Sequence, residues 1–335
     1  MKKNINRNAS PSAYGWCFQV GAGMSLFLDN IKDISSVKME GLSDDIEIVT
    51  NNGKKIYAQA KSVVQIGDQR SANQVLKKAL DVLKEDDKNN DALKLIYITN
   101  ISNPLSSNLA SAYNFGMNYE FSILPENDQK KIVDITGQDF NKNKFQLQIL
   151  YFFGEGENKF VKIKEKIESF LRNAINDISY SKQVLDSWFE TFMLNCSDKP
   201  DQQKKLNLNK KQIIYPIIAV VLYEAVTENE FGKVCNNDNY FEVMKDYRKI
   251  INYNLCDYEF IVEIIGDYFE KRNKNPSIKL TKYDYTIKYW KEFEKRFLEI
   301  KHDDKRESLV KLLVLSIISH CTLINDIKEA SNLCN

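Results

Sequence analysis

The chain has 335 residues, of which 43% are hydrophobic, so it is long enough for two domains and can bury a core in each. Its 47 Lys and Arg residues are balanced by 46 Asp and Glu, which argues against a global electrostatic attraction to nucleic acid. The six cysteines are scattered without a Cys-x-x-Cys pair, which argues against a zinc ribbon or a disulfide framework.

No apolar signal segment follows the opening Met-Lys-Lys, and we therefore expect a cytoplasmic protein. The longest apolar runs, 213–226 and 309–324, carry polar breaks and fall short of the roughly 20 apolar residues that a membrane span needs. They are predicted to be core helices, and no membrane association is expected.

The first half of the chain alternates between helical and extended patterns. The predicted elements are a helix over 13–31, a strand over 34–40, a hairpin over 43–61, a helix over 73–83, a strand over 93–99, a helix over 107–118, a short strand over 120–124, a helix over 128–136 and a strand over 145–153. This alternation predicts a mixed α/β domain with a central sheet flanked by helices.

From residue 157 onward the pattern is helical. The predicted helices are 162–178, 180–194, 210–227, 240–252, 257–271, 283–300 and 307–330, with loops over 197–205 and 272–277. We therefore expect an α/β domain over 1–156 and an all-helical domain over 157–335 that serves oligomerisation, partner binding or sensing.

The hairpin is the stretch with the most chemistry. If Asn51-Asn52-Gly53 forms a three-residue loop with Gly53 in the left-handed region, Asp45 lies opposite Gln59 and one hairpin face is uniformly apolar. A two-residue turn at Asn52-Gly53 would shift the pairing by one residue and mix polar with apolar side chains on both faces. The first register is therefore preferred.

In that register Asp45, Glu47, Gln59 and Lys61 share a face. Carboxylate and amide oxygens suit a hard ion such as Mg²⁺ or Mn²⁺, which lowers the pKa of a bound water and neutralises charge on a phosphate. An ammonium beside the ion can orient the attacking water or stabilise the transition state. The alternative is an ordinary amphipathic hairpin with a solvated polar face, because this pattern alone is a weak signal.

Four short stretches together carry a resemblance: Tyr14-Gly15-Trp16-Cys17-Phe18-Gln19, Val37-Lys38-Met39-Glu40-Gly41, Asp45-Ile46-Glu47 and Gln59-Ala60-Lys61. In this order they resemble the PD-(D/E)XK nuclease superfamily over roughly residues 12–155. The narrower resemblance is to the double-stranded DNA endonuclease domain of bacterial anti-phage systems, found in CD-NTase-associated effectors and in the nuclease subunit of Lamassu-type complexes.

The resemblance implies a restriction-endonuclease-like fold and a role for each matching residue. Asp45 becomes the principal metal ligand, Gln59 the second strand ligand and Lys61 the catalytic lysine. Glu40 is a further candidate metal ligand, and Asp44 competes with Asp45 for the ligand role. The supporting residues are Gln19 on the preceding helix and Glu47 on the hairpin, and Lys54 and Lys55 at the hairpin tip are candidate DNA contacts.

The implied function is a Mg²⁺-dependent DNA endonuclease that acts as the effector of a defence complex and stays inactive until it is assembled or triggered. Cutting both strands needs two active sites, so a homo-oligomer is expected. The resemblance also implies an SMC-like ATPase and a small accessory subunit as partners. The alternative is a nuclease fold that is retained without catalysis as a scaffold or interaction subunit.

Overall fold

The computed structural model describes residues 10–39, 45–65, 72–105, 113–194, 206–223, 226–235, 240–253, 258–274, 280–297 and 303–333. The strands are β1 Ile34–Met39, β2 Ile46–Thr50, β3 Lys55–Lys61, β4 Ala92–Thr99, β5 Met117–Glu120, β6 Phe145–Ile149 and β7 Leu206–Asn209. The helices are α1 Ser10–Asp29, α2 Ala72–Asp86, α3 Glu126–Thr136, α4 Val161–Ile175, α5 Ser181–Leu194, α6 Lys210–Tyr223, α7 Glu228–Phe231, α8 Tyr240–Tyr253, α9 Tyr258–Lys274, α10 Lys282–Tyr289, α11 Asp303–Ser319 and α12 Cys321–Ser331.

The strands form one mixed sheet of seven in the order β5-β6-β4-β3-β2-β1-β7. Strands β1, β2 and β3 are antiparallel neighbours, whereas β3, β4 and β6 run parallel. The central strand β4 is buried along 95–99, as expected for a parallel strand covered on both faces. The predicted mixed sheet with flanking helices is therefore confirmed at this level.

Helix α1 covers one face of the sheet. Gly23 lies so close to β1 that an added Cβ would be 3.3 Å from Met39 Sδ, and Gln148 on β6 donates a hydrogen bond to Ser25 Oγ at 3.3 Å. Helix α2 packs on the opposite face, where Leu76 and Leu80 join Tyr57 of β3 in one apolar cluster. The sheet thus has a helix on each side of its centre.

Two predictions between β4 and β6 were wrong. Residues 113–116 are not helical and β5 begins at Met117, while 107–112 of the predicted helix lie outside the described residues. The predicted strand over 120–124 is instead a 3₁₀ turn over Phe121–Ile123. Strand β5 forms because it pairs antiparallel with β6, a long-range contact that local periodicity does not encode.

Strand β7 is the main element missed in the half predicted to be helical. Leu206–Asn209 pairs antiparallel with β1 and closes that edge of the sheet, with Leu208 opposite Val37. The chain forms two compact units, the first of Met1–Phe170 and Trp188–Lys210 and the second of Leu171–Ser187 and Lys211–Asn335. The sheet therefore includes residues far beyond position 156. The sequence did not reveal this strand because four residues give too little alternation to be recognised.

Among the described residues of the second unit, every element of regular secondary structure is a helix. As predicted, the apolar runs form buried helices, with 213–222 of α6 and 309–318 of α11 buried. The helix predicted over 307–330 is broken at His320, whose Nδ1 lies 2.8 Å from Ser316 O. Among the described helices none is by itself long and apolar enough to cross a bilayer, although α11 and α12, bent by 59°, reach that length and composition as a pair.

Two glycines provide a matched test of the backbone. Gly15 lies in α1 and Gly53 in the hairpin loop at φ +77°, and an added Cβ would meet no atom within 4 Å at either position. We expect Gly15→Ala to raise the free energy of unfolding by about 0.5–1 kcal/mol, because Ala loses less backbone entropy in a helix.

Gly53→Ala should lower the free energy of unfolding by about 1–2 kcal/mol, because an L side chain is strained in the left-handed region. Chemical denaturation of both variants beside wild type measures the difference. Equal effects of the two substitutions would contradict the loop conformation.

Candidate active site

The hairpin adopts the preferred register. Glu47 pairs with Tyr57, Ile46 with Ala58 and Ile48 with Ile56. Asn51, Asn52 and Gly53 form the loop, and Gly53 N donates to Thr50 O at 3.0 Å. Because side chains alternate along a strand, Asp45 and Gln59 fall on the same face as Glu47 and Tyr57.

Asp45 and Lys61 are in direct contact at the end of this hairpin. Lys61 Nζ lies 2.6 Å from Asp45 Oδ2, and the same oxygen accepts a hydrogen bond of 2.7 Å from Ala60 N. The last described β2–β3 pair is Ile46 with Ala58, so a side chain supplies the acceptor for a backbone N–H just beyond the ladder. Asp45 therefore fastens the two strands together where their pairing ends.

The second oxygen of Asp45 is available for a ligand. Oδ1 accepts no hydrogen bond from the part of the chain that the structure describes, and the Asp45 side chain is 13% exposed. A carboxylate with one oxygen engaged by protein donors and one oxygen open suits a hard cation that keeps several waters. The Lys61 ammonium competes with such a cation for negative charge.

Gln59 lies between Ala60 and Ala58 on β3 and is 2% exposed. Its strand position places it beside Asp45, two residues before Lys61 on the same face. The hairpin's polar face is therefore not solvated along its whole length. At Tyr57 it is covered by α2, and at Gln59 it is buried, so the oxygen of Gln59 would face a ligand in a largely dry environment.

Glu47 belongs to a neighbouring network of charges instead of to the Asp45–Lys61 contact. Its Oε1 lies 2.9 Å from Lys38 Nζ and 3.7 Å from Lys55 Nζ, and Lys55 in turn lies 3.2 Å from Asp91. Tyr57 donates to Asp91 Oδ1 at 3.1 Å. Glu47 thus forms ion pairs with Lys38 on β1 and Lys55 on β3, and these pairs link the three strands.

The remaining predicted residues have different positions. Gln19 is half-buried on α1, on the opposite face of the sheet, and makes no described hydrogen bond to Asp45 or Lys61. Glu40 and Asp44 lie outside the described residues. Lys54 is exposed at the hairpin tip, where its Nζ donates to Asn90 O at 3.3 Å.

One site residue was missed by sequence reasoning. Asn100 directly follows the buried strand β4 and is itself fully buried, and its side chain makes hydrogen bonds to the backbone just beyond Lys61. The available signal was a polar residue at the end of a continuous apolar strand, because such a residue sits at the edge where parallel strands end.

Within the described residues, no group of three or more His, Cys, Asp or Glu side chains is placed to hold a metal ion. The donor set that fits a cation is the smaller one of Asp45 Oδ1 and the Gln59 amide oxygen. One carboxylate and one amide suit Mg²⁺, which binds through few protein ligands.

Comparisons with protein-family models, with curated proteins and with solved structures found no match to this chain.

The Asp91 network predicts a pH dependence of stability. Burial opposes ionisation of Asp91, but hydrogen bonds from Lys55 and Tyr57 outweigh it and hold the pKa of Asp91 below its usual value. Burial and the hydrogen bond to Asp91 raise the pKa of Tyr57 to about 12, so this hydroxyl remains a donor at neutral pH. Since the folded-state pKa of Asp91 lies below the unfolded value of about 3.9, its ionised form stabilises the fold above that pH.

We therefore expect Asp91→Asn to lower the thermal unfolding midpoint at pH 7, and the difference from wild type to fade as the pH falls below about 4. Thermal unfolding between pH 7 and pH 3 measures it. Asp186→Asn is the matched control, because Asp186 pairs with Lys182 on an exposed helix surface, where such pairs contribute little. An Asp91→Asn difference that stays constant down to pH 3 would contradict the network.

Proposed function

We propose that this protein is a Mg²⁺-dependent double-stranded DNA endonuclease of the PD-(D/E)XK type. The observation that carries the proposal is the contact between Asp45 Oδ2 and Lys61 Nζ across two neighbouring strands, with Gln59 two residues before Lys61 on the same face. An acidic, an amide and an ammonium side chain thus lie on one face at the same end of two neighbouring strands, and Oδ1 of Asp45 accepts no hydrogen bond from the described residues.

The order of elements supports the same proposal. Helix α1 is followed by the antiparallel strands β1, β2 and β3, then by helix α2 and by strand β4, which runs parallel to β3. This arrangement resembles the core of restriction-endonuclease-like folds, in which the acidic residue begins the second strand and the Gln-x-Lys motif ends the third.

In the proposed site, Asp45 and Gln59 would hold the metal ion. When bound, such an ion lowers the pKa of water and neutralises charge on the scissile phosphate. Lys61 donates hydrogen bonds from a fixed position to oxygens that gain negative charge in the transition state. The pairing of Asp45 with Lys61 keeps both side chains in place before substrate arrives. Glu40 is proposed to complete the site, whereas the predicted role of Gln19 does not fit its position on the opposite face of the sheet.

The near-neutral charge of the chain, with 47 basic and 46 acidic residues, indicates how this nuclease meets its substrate. Non-specific affinity for DNA comes from Lys and Arg side chains that neutralise phosphates, and a chain without excess positive charge gains little of it. We therefore propose that the protein works in a bacterial anti-phage complex in the cytoplasm, as a homo-oligomer, together with an SMC-like ATPase and a small accessory subunit that deliver DNA. Gln59 in place of a carboxylate lowers the negative charge at the site and helps to keep the unassembled enzyme quiet.

The first test is cleavage of linear duplex DNA with Mg²⁺. We expect Asp45→Asn and Lys61→Met to lower the cleavage rate by roughly 100-fold or more, because each removes a charge that acts on the metal or on the transition state. The control is Lys88→Met, which removes an exposed lysine that pairs with Glu85 and should cleave at nearly the wild-type rate.

Equal cleavage rates for wild type, the two site variants and the control would contradict the proposed mechanism. A wild-type protein that does not cleave, alone or with its partner subunits, would instead favour the non-catalytic scaffold. One observation favours this scaffold function. Among the described residues, the candidate metal donors include a single carboxylate, Asp45, because residue 59 is a glutamine.

Substitutions of Gln59 test whether this residue binds the metal ion, because one of them should strengthen Mg²⁺ binding. We expect Gln59→Glu to lower the Mg²⁺ concentration needed for half-maximal cleavage, because a second carboxylate adds charge at the metal. Gln59→Leu, similar in size but without an oxygen, should raise that concentration. Titration of cleavage against Mg²⁺ measures both, and no change in either variant would show that residue 59 does not bind the ion.

A further inference from the structure

The chain just beyond Lys61 is held by the side chain of one buried residue. The last β3–β4 pair is Lys61 with Thr99, so regular pairing ends at the proposed catalytic lysine. Asn100, the next residue after Thr99, accepts a hydrogen bond from Val63 N at 2.8 Å and donates one to Val63 O at 2.7 Å. The amide side chain therefore replaces the backbone hydrogen bonds that end with the last β3–β4 pair.

The same amide reaches two further elements. Asn100 Nδ2 lies 3.3 Å from Tyr14 Oη on α1 and 3.4 Å from Phe152 O, which follows β6. The Tyr14 hydroxyl donates to Phe152 O. Burial raises the pKa of Tyr14 to about 12, and the hydroxyl therefore keeps its proton at neutral pH. Asn100 thus joins β3 to α1 and to the segment after β6.

We propose that Asn100 is a positioning residue that holds Lys61 against Asp45, an inference that deepens the proposed nuclease function and rests on it. Hydrogen bonds hold the backbone on both sides of Lys61. Ala60 N donates to Asp45 Oδ2, and Val63 exchanges two hydrogen bonds with the Asn100 amide. A strand end that frays would move the lysine away from the Asp45 oxygen. Asn100 makes no described hydrogen bond to the lysine side chain and acts through the backbone of Val63.

Gln148 is a suitable control for this role. It is also a buried amide, 1% exposed, and it lies on β6, separated from β3 by β4. Its Nε2 donates to Ser25 Oγ at 3.3 Å and to Asp29 Oδ2 at 3.2 Å, which lie on α1. Gln148→Ala therefore removes a buried amide from the same sheet without touching the β3 end.

The test compares Asn100→Ala with Gln148→Ala in the full chain by two measurements. One is steady-state cleavage of duplex DNA with Mg²⁺, and the other is the rate at which Lys61 is acylated by a water-soluble active ester, read by mass spectrometry relative to Lys54. We expect Asn100→Ala to lower kcat roughly 10- to 100-fold with KM for DNA unchanged, as misplacement of a catalytic group does. Lys61 should become severalfold more reactive, because its ammonium leaves Asp45.

Gln148→Ala should leave kcat and Lys61 acylation at the wild-type level, even where its unfolding midpoint falls as much as that of Asn100→Ala. Wild-type kcat or wild-type Lys61 reactivity in Asn100→Ala would overturn the proposal, and so would an equal loss of kcat in Gln148→Ala.

Two further outcomes are covered by the same design. If Asn100→Ala does not fold, Tyr14→Phe removes the hydroxyl that links Asn100 to α1, and an unchanged Lys61 acylation rate in that variant would count against the proposal. If wild type cleaves no DNA, the acylation rates still decide whether Asn100 holds Lys61, and only the proposed nuclease function fails.

Discussion

The structure depends on the pairing of β2 with β3, because the pairing decides which side chains share a face. The pairing of Glu47 with Tyr57 puts Asp45, Gln59 and Lys61 together, and a slip of one residue would place Asp45 on the opposite face from Gln59 and Lys61. Two features fix the pairing. Gly53 at φ +77° sets the loop, and the buried Ile46 and Ile48 cannot be exchanged for the polar face without exposing apolar area and burying charge.

The candidate site lies where regular hydrogen bonding stops, and side chains replace the missing backbone partners there. Asp45 accepts from Ala60 N, and Asn100 both accepts from and donates to Val63. An unpaired buried backbone group costs about 1–3 kcal/mol, so each replacement stabilises the strand end by a substantial part of that amount. The groups proposed for catalysis thereby also contribute to the fold.

The balance of charge at the site explains why a nuclease of this kind would need assembly. Asp45 is opposed at 2.6 Å by Lys61, and Gln59 adds an oxygen without a charge. A cation entering the site must compete with the ammonium for one carboxylate, so metal binding gains when a phosphate draws Lys61 toward itself. Under the proposed function we therefore expect DNA and metal to bind cooperatively, and the free protein to have low affinity for both.

Prediction from sequence succeeded where the pattern was long or the chemistry unambiguous. The apolar alternation of the hairpin and the run of 93–99 encode their own burial, so β2, β3 and β4 could be placed before the structure was known. It failed at β5 and β7, which are four residues long, and at His320, where α11 ends within a run that remains apolar. Short strands form because a partner strand is present, and nothing local marks them.

The sequence by itself determined the hairpin, its register and the identity of the three side chains that could meet there. Only the tertiary structure decided that Asp45 and Lys61 touch, that Gln59 is buried, and that Asn100 reaches across from β4 to hold the strand end. The reason is physical. Alternation along a strand is a local property of the backbone, whereas distance and burial depend on which distant segments pack against it.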